Sequence, residues 1–177
     1  MNDATNSSTR SSSAFRFVTH WQIESPENDD AVLQFWEREG ALANDVKSAE
    51  RLKEVVLDAR DSDGRIAGVC TVVPMTLPRL AQPMYYYRCF IGKNWRETRL
   101  VLRLLLRAFE VLEEYARARD FPCIGVVLEL ENSRFGDALR APVWPSTGFV
   151  YAGKSGRGLD LRLRYFRGAR LKKPAPP

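Results

Sequence analysis

Histidine and cysteine are scarce in this chain, with one histidine and three cysteines among 177 residues. Cys70, Cys89 and Cys123 show no metal-ligand spacing, so the sequence offers no recognisable metal site. The three cysteines lie in apolar, strand-like segments, and their odd number favours buried free thiols in a reducing, cytoplasmic compartment. The lone histidine, His20, is expected to have a structural or surface position.

Long apolar runs and runs of like charge are also missing. No segment approaches the ~18 consecutive apolar residues of a membrane span, and residues 1–14 lack the apolar core of a signal peptide. The net charge of +5 is spread through periodic segments, so it argues only weakly for nucleic acid. We therefore expect neither a membrane nor a nucleic acid as partner. No repeat or linker divides the chain, which predicts one domain over 15–170 between flexible tails at 1–14 and 171–177.

The apolar pattern predicts eleven elements of secondary structure. Strands are predicted over 15–23, 54–60, 65–74, 84–92, 123–130, 148–153 and 158–166, and helices over 25–40, 46–53, 98–119 and 132–140. A strand–long helix–strand crossover lies within an otherwise antiparallel meander. This order predicts an α/β (mixed α+β) fold with a mixed, mainly antiparallel sheet of about seven strands and helices on both faces.

A strand, a short polar turn and a long amphipathic helix follow one another over residues 90–112. The first amides of a helix lack partners and carry the positive end of its dipole, so such a turn can hold an anion. Four arginines share one helical face here: Arg96, Arg99, Arg103 and Arg107. The segment favours a phosphate-bearing ligand, and the alternative is a solvated helix face whose arginines pair with nearby glutamates.

The element order and two motifs resemble the GNAT superfamily of acyl-coenzyme A N-acyltransferases. The family's central motif reads roughly Val-x-Pro-x-Tyr/Trp-Arg/Gln-x-x-Gly-x-Gly/Ala before a Leu-rich helix. Residues 91–101 match it at Ile91, Trp95 and Arg96 but differ at both glycine positions. The next motif is a strand ending in Asn, a short helix, and Gly-Phe opening a strand. It is matched over 128–132, at Ala138-Leu139, and at Gly148-Phe149.

The resemblance implies a site for acetyl-CoA, or another acyl-CoA, as cosubstrate. Phe90 and Ile91 would face the pantetheine arm through backbone atoms, and Asn132 would lie near the arm or the acyl end. The turn and the first helical residues would wrap the pyrophosphate: Arg96, Glu97, Thr98, Arg99, Leu100 and Val101. Arg96 and Arg99 would be its charged contacts.

Two acids end the apolar strand, and Glu129 and Glu131 are the candidate general bases for an amine proton. The alternative is an ordinary strand end that emerges into solvent. The family often has a tyrosine as general acid about four residues before Gly-Phe, where this chain has Trp144, which has no titratable proton. Arg88 shares a strand face with Tyr86, and needs an anionic partner: a substrate carboxylate, Glu129 or Glu131.

The implied function is N-acyl transfer, in the first place acetyl transfer, to an amine on a small molecule or peptide whose identity the sequence does not reveal. The alternative is a catalytically inactive GNAT-like fold that acts as a ligand-binding or protein-interaction module. The bulk of Arg99 and Val101 at the glycine positions favours that alternative, as does Trp144. A nucleic-acid binder rests on charge alone. Exposed strand edges are compatible with a homodimer.

Overall fold

Seven strands form one sheet in the computed structural model, which describes residues 15–42, 47–78, 80–96, 99–131 and 140–173. The strands are β1 (Arg16–Thr19), β2 (Val55–Arg60), β3 (Ile66–Leu77), β4 (Gln82–Ile91), β5 (Gly125–Leu130), β6 (Val150–Lys154) and β7 (Asp160–Tyr165). They lie in the order β1-β2-β3-β4-β5-β7-β6, and every neighbouring pair is antiparallel except β4 and β5. The prediction of a mixed, mainly antiparallel sheet of seven strands is confirmed.

The described residues also contain α1 (Pro26–Glu39), α2 (Ser48–Leu52), α3 (Leu100–Arg117) and a 3-10 turn over Lys93–Trp95. Local sequence sets the limits of α1. Its first residue is proline, whose fixed φ suits a helix start, and Gly40 ends the helix at a φ of +62°. α3 is amphipathic and buries one stripe of side chains: Leu100, Leu104, Leu105, Ala108, Phe109, Leu112 and Ala116.

Helices cover both faces of the sheet, as predicted. The buried side chains of α1 pack against one face: Val32, Phe35 and Trp36 contact a cluster that includes Val55, Ile66 and Val69. The stripe of α3 packs against the other face, where Cys70, Tyr85 and Tyr87 belong to its core. Successive side chains of a strand point to opposite faces, so Val69 and Cys70 join different cores. The same alternation leaves Tyr86 and Arg88 on the α1 face.

The first strand is shorter than the sequence predicts. β1 ends at Thr19 because the amides of His20 and Trp21 both donate to the carbonyl of Val56. The chain then turns at Gln22, whose φ is +59°. His20 is buried, with Nε2 2.9 Å from Oδ2 of Asp58, so the lone histidine has a structural position.

Several predictions lie outside the described residues: the tail over 1–14, residues 174–177 of the tail predicted over 171–177, and most of the helix predicted over 132–140. None of the helices in the described ranges is long and apolar enough to cross a bilayer. All three cysteines are free thiols; Cys70 and Cys123 are buried and Cys89 is partly buried.

Candidate functional site

The parallel neighbours β4 and β5 separate soon after they meet. Their ladder has two register positions, Tyr85 with Val126 and Tyr86 with Val127. β4 then continues to Ile91 beside β3, while β5 continues beside β7. In the described chain neither strand pairs with the other beyond the second position. The facing backbone edges of the two strands therefore border a wedge-shaped opening in the middle of the sheet.

A cavity of about 950 Å³ occupies this opening, near the top of the range of ~300–1,000 Å³ usual for small-molecule sites. We call it the central cavity. Its α3 side is lined by Arg96, Arg99 and Val101, and its α1/α2 side by Arg51, Tyr86 and Arg88. The remaining lining residues are Trp36, Ala41, Leu42, Val69, Thr71, Tyr87, Cys89, Phe90, Ile91, Leu102, Leu105, Leu128, Glu129, Leu130, Glu131 and Trp144.

Two arginines stand where the polar turn meets α3. Nε of Arg96 donates to the carbonyl of Ile91 at 3.3 Å, and its guanidinium lies 5.7 Å from the ring centroid of Phe90. Arg99 is the residue immediately before the helix and has an exposed side chain. Both cations lie beside the positive end of the α3 dipole, an arrangement that a bound anion would stabilise.

The other two arginines of the row have separate contacts. Arg103 lies over the rings of Phe15 and Phe17, at 5.3 Å and 5.4 Å from their centroids. Arg107 pairs with Glu110 at 2.8 Å on the exposed helix surface, a contact worth about 0–1 kcal/mol. The row that looked continuous in sequence therefore divides into a cavity pair and a surface pair.

The structure brings most of the predicted site residues to one place. Those that line the central cavity are Phe90, Ile91, Arg96, Arg99, Val101, Glu129 and Glu131. Leu100 is fully buried in the α3 core, so only its backbone is available to a ligand. Glu97, Thr98 and Asn132 lie outside the described residues.

Arg88 has a different partner from those the sequence suggested. Its Nη2 donates to Oε2 of Glu54 at 3.0 Å, and the same oxygen accepts a bond from Nη1 of Arg51 at 2.8 Å. The expectation that Glu129 or Glu131 would be the protein partner is wrong, because β4 and β5 have separated at this level. Burial, and then the charge of Arg51, lower the pKa of Arg88. Among the described residues its buried Nε–H has no hydrogen-bond partner, which typically costs ~1–3 kcal/mol.

The two candidate bases differ in exposure. The side chain of Glu129 is 10% exposed and that of Glu131 is 66% exposed. Arg157, on the turn between β6 and β7, contacts both carboxylates, at 2.9 Å and 3.0 Å. Of the two acids, Glu129 is the one held inside the cavity wall.

Tyr86 lies beside Glu129 at the point where the strands separate. Burial raises the pKa of Tyr86, and the charge and hydrogen bond of Glu129 raise it further. The phenol therefore keeps its proton throughout the neutral range. Tyr86 is a titratable hydroxyl in the cavity wall, a property that Trp144 lacks.

Cys89 is a thiol in the wall, but it is a poor nucleophile. Burial raises the pKa of Cys89 to about 11, and burial also raises the pKa of its cross-strand neighbour Cys70. The nucleophilic form of cysteine is the thiolate, so at neutral pH neither residue is suited to covalent catalysis.

No protein-family model matches the sequence, and no curated protein matches it closely. Solved structures do match it. A bacterial toxin covers 88% of this chain and 92% of its own, with a TM-score of 0.57 at 14% identity. A GNAT-family acetyltransferase from Streptococcus pneumoniae covers 86% of this chain and 99% of its own, with a TM-score of 0.56 at 18% identity. A mutant of the AtaT toxin, bound to the C-terminus of the antitoxin AtaR, covers 88% and 94%, with a TM-score of 0.54 at 13% identity.

The chain has the GNAT fold. The resemblance drawn from the two motifs is thus confirmed at the level of the fold.

In this GNAT fold Trp144 is 4% exposed, and the guanidinium of Arg162 lies 5.0 Å from its ring centroid. Trp144 thus combines a contact with the cavity and a place in the packed core.

Three charged residues in or near the central cavity were not predicted from the sequence: Arg51, Glu54 and Arg157. Arg51 and Glu54 are three residues apart at the end of α2, and that spacing is a local signal for an ion pair. Glu54 meets Arg88 across 34 positions, and Arg157 meets Glu129 across 28. No local pattern encodes those contacts, because the sheet register creates them.

Proposed function

We propose that this chain is an N-acyltransferase that moves an acyl group, in the first place acetyl, from coenzyme A to an amine. The observation that carries the proposal is the opening between β4 and β5. The central cavity fills it, with two cations on the α3 side and a largely enclosed carboxylate and a phenol on the opposite side. A donor and an acceptor could therefore approach the same point from opposite faces of the sheet.

The residues present fit an acyl-coenzyme A. Arg96, Arg99 and the first turn of α3 suit its pyrophosphate, since guanidinium groups form charge-assisted bonds to phosphate oxygens. The facing edges of β4 and β5, which do not pair beyond Tyr86, suit a pantetheine arm that needs backbone donors and acceptors. Arg99 and Val101, which replace the family's small residues, lie in the cavity wall and leave the cavity open.

Bound acyl-coenzyme A would supply the thioester, whose carbonyl carbon forms a bond to the amine nitrogen as the carbon–sulfur bond breaks and the thiolate leaves. Glu129 is the proposed base that takes the amine proton, because it is the less exposed of the two acids. Arg157 holds this carboxylate in position at 2.9 Å. Tyr86 is the proposed donor of the proton that the leaving sulfur needs, and it can recover that proton from Glu129.

Calorimetric titration with acetyl-coenzyme A tests the donor site directly. We expect micromolar binding to the wild type and its loss in an Arg96→Ala, Arg99→Ala double variant. The matched control is Arg107→Ala, which removes an arginine of the same row that pairs with Glu110 on the surface. Absence of binding at millimolar acetyl-coenzyme A would overturn the proposal.

A second function is a binding module without turnover, and one observation favours it. Trp144 occupies the position where the resemblance leads one to expect a tyrosine acid, and it is packed against Phe149 and Arg162. This alternative predicts that acetyl-coenzyme A binds while a broad panel of amines releases no free coenzyme A. Release of coenzyme A that depends on Glu129 would exclude it.

A further inference from the structure

The α1/α2 side of the central cavity carries an excess of positive charge at one position. Arg51 and Arg88 both bind the same oxygen of Glu54, at 2.8 Å and 3.0 Å, so two guanidinium groups share one carboxylate. Arg88 keeps a buried Nε–H that has no hydrogen-bond partner in the described part of the chain. A guanidinium can bind a carboxylate with two parallel bonds, and Glu54 engages Arg88 through one.

An excess of negative charge lies on the facing strand, β5, and at its end. Glu129 and Glu131 both contact Arg157, so here two carboxylates share one guanidinium. Arg157 approaches from the β6–β7 turn and is 60% exposed, whereas Glu129 is nearly enclosed. One more cationic group, such as an ammonium, would balance this position.

The two positions face each other across the opening. Arg88 and Glu129 each lie two residues beyond the last pair of the ladder, Tyr86 with Val127. They are not joined to each other; each is held by a side chain from its own side of the opening. Tyr86 is close to both, with its ring centroid 5.6 Å from the Arg88 guanidinium and its hydroxyl next to Glu129.

We infer that the acceptor is a small molecule that carries both an amine and a carboxylate, the chemical class of the amino acids. Its carboxylate binds Arg88 and Arg51, and its amine lies toward Glu129. The apolar wall formed by Trp36, Leu42 and Val69 receives the rest of the molecule. This inference rests on the proposed function, since it assigns the acceptor of that same transfer.

The test is a comparison of matched acceptors with acetyl-coenzyme A as donor. A panel of α-, β- and γ-amino acids is assayed beside the corresponding amides, which keep the amine and lose the negative charge, by release of free coenzyme A. We expect kcat/KM for at least one amino acid to exceed that of its amide by about tenfold to hundredfold, the effect of losing one hydrogen bond between charged groups.

The Arg88→Gln variant separates a binding role from a structural one. It should raise KM for the amino acid with little change in kcat, leave KM for the amide unchanged, and leave acetyl-coenzyme A binding intact. Arg88→Lys should recover part of the preference, because it restores the charge without the planar fork. Arg107→Gln is the matched control, and thermal melting verifies that each variant is folded.

The outcomes distinguish the two proposals. If acetyl-coenzyme A fails to bind the wild type, the proposed function fails and this inference fails with it. If acetyl-coenzyme A binds but the amides react as well as the amino acids, or Arg88→Gln changes both acceptor classes equally, the acceptor class is wrong while the donor site stands. If the donor binds and nothing in the panel reacts, the amino-acid acceptor is likewise wrong.

Discussion

Two pairs of arginines line one cavity, and the protein holds them in opposite ways. Arg96 and Arg99 lie exposed beside the start of α3, and within the described residues neither forms an ion pair. Arg51 and Arg88 lie on the other side of the sheet and share the carboxylate of Glu54. The first pair has its full charge available to a ligand, while the second pair is already half neutralised.

The difference bears on selectivity. An exposed pair beside a helix N-terminus attracts a multiply charged group, such as a pyrophosphate, and its attraction is screened by salt. A pair tied to Glu54 has one net positive charge and a fixed position, which suits a single carboxylate in one orientation. Arginine thus serves to attract a multiply charged phosphate group on one face of the sheet, and to select a single carboxylate on the other.

The largest expected effect separates chemistry from binding. Glu129→Gln should lower kcat by about 10²–10⁴, the usual contribution of a general base, and leave the Kd of acetyl-coenzyme A unchanged. Steady-state kinetics and calorimetry measure the two quantities. Glu131→Gln is the matched control and should have a much smaller effect, because its side chain is 66% exposed. Equal losses in both variants would contradict the assignment.

The next effect tests the exposed arginine pair. The Arg96→Ala, Arg99→Ala variant should weaken donor binding about a hundredfold or more, since each lost bond between charged groups costs ~1.5–3 kcal/mol. Donor affinity of the wild type should also fall as salt is raised, and the variant should lose most of that salt dependence. A variant with an unchanged salt dependence would show that phosphate is held elsewhere.

A smaller effect is expected at Tyr86. Tyr86→Phe should lower kcat about tenfold, less than the usual 10²–10⁴ for a general acid, because a thiolate is a good leaving group. Burial and Glu129 raise the pKa of Tyr86, so the wild-type rate should hold into alkaline solution and fall only above the ordinary pKa of 10. The pH–rate profile of the variant should lack that fall.

A last prediction, on stability and not on activity, concerns the thiols at high pH. Burial raises the pKa of Cys89 and of Cys123 to about 11 from an ordinary value of 9.0. The folded state therefore holds these protons more tightly than the unfolded state. The resulting stability is complete below pH 9 and is lost as pH rises through 11. Urea unfolding across this range should show the decline, and Cys89→Ala together with Cys123→Ala should reduce it.

Elements whose limits or buried face are set by nearby residues were predictable from the sequence. Helix α1 is marked by Pro26 at its start and by Gly40 directly after its last residue, and the β2–β3 hairpin by the Asp and Gly residues of the turn over 61–64. α3 is marked by its apolar stripe. Several walls of the cavity followed from these elements, because Arg96 and Val101 have fixed places relative to the start of α3.

The pairings within the site were not predictable in the same way. Arg88 contacts Glu54 because β4 lies beside β3 and the end of α2, and it misses Glu129 because the ladder has already ended. Arg103 contacts Phe15 and Phe17 because β1 lies at the sheet edge under α3. Such contacts depend on sheet register and on where two strands stop pairing, which no local periodicity records.

The short ladder between β4 and β5 also divides the molecule mechanically. Two register positions, and one backbone bond from the Ile124 amide to the carbonyl of Pro83, join β1–β4 to β5–β7, so the backbone hydrogen-bond network is thin at the centre of the sheet. Slow amide exchange should therefore resolve two cooperative units, coupled chiefly through the side chains under α3. A ligand bound between β4 and β5 would bridge the two units. Its binding should therefore slow hydrogen exchange of amides in both units at once.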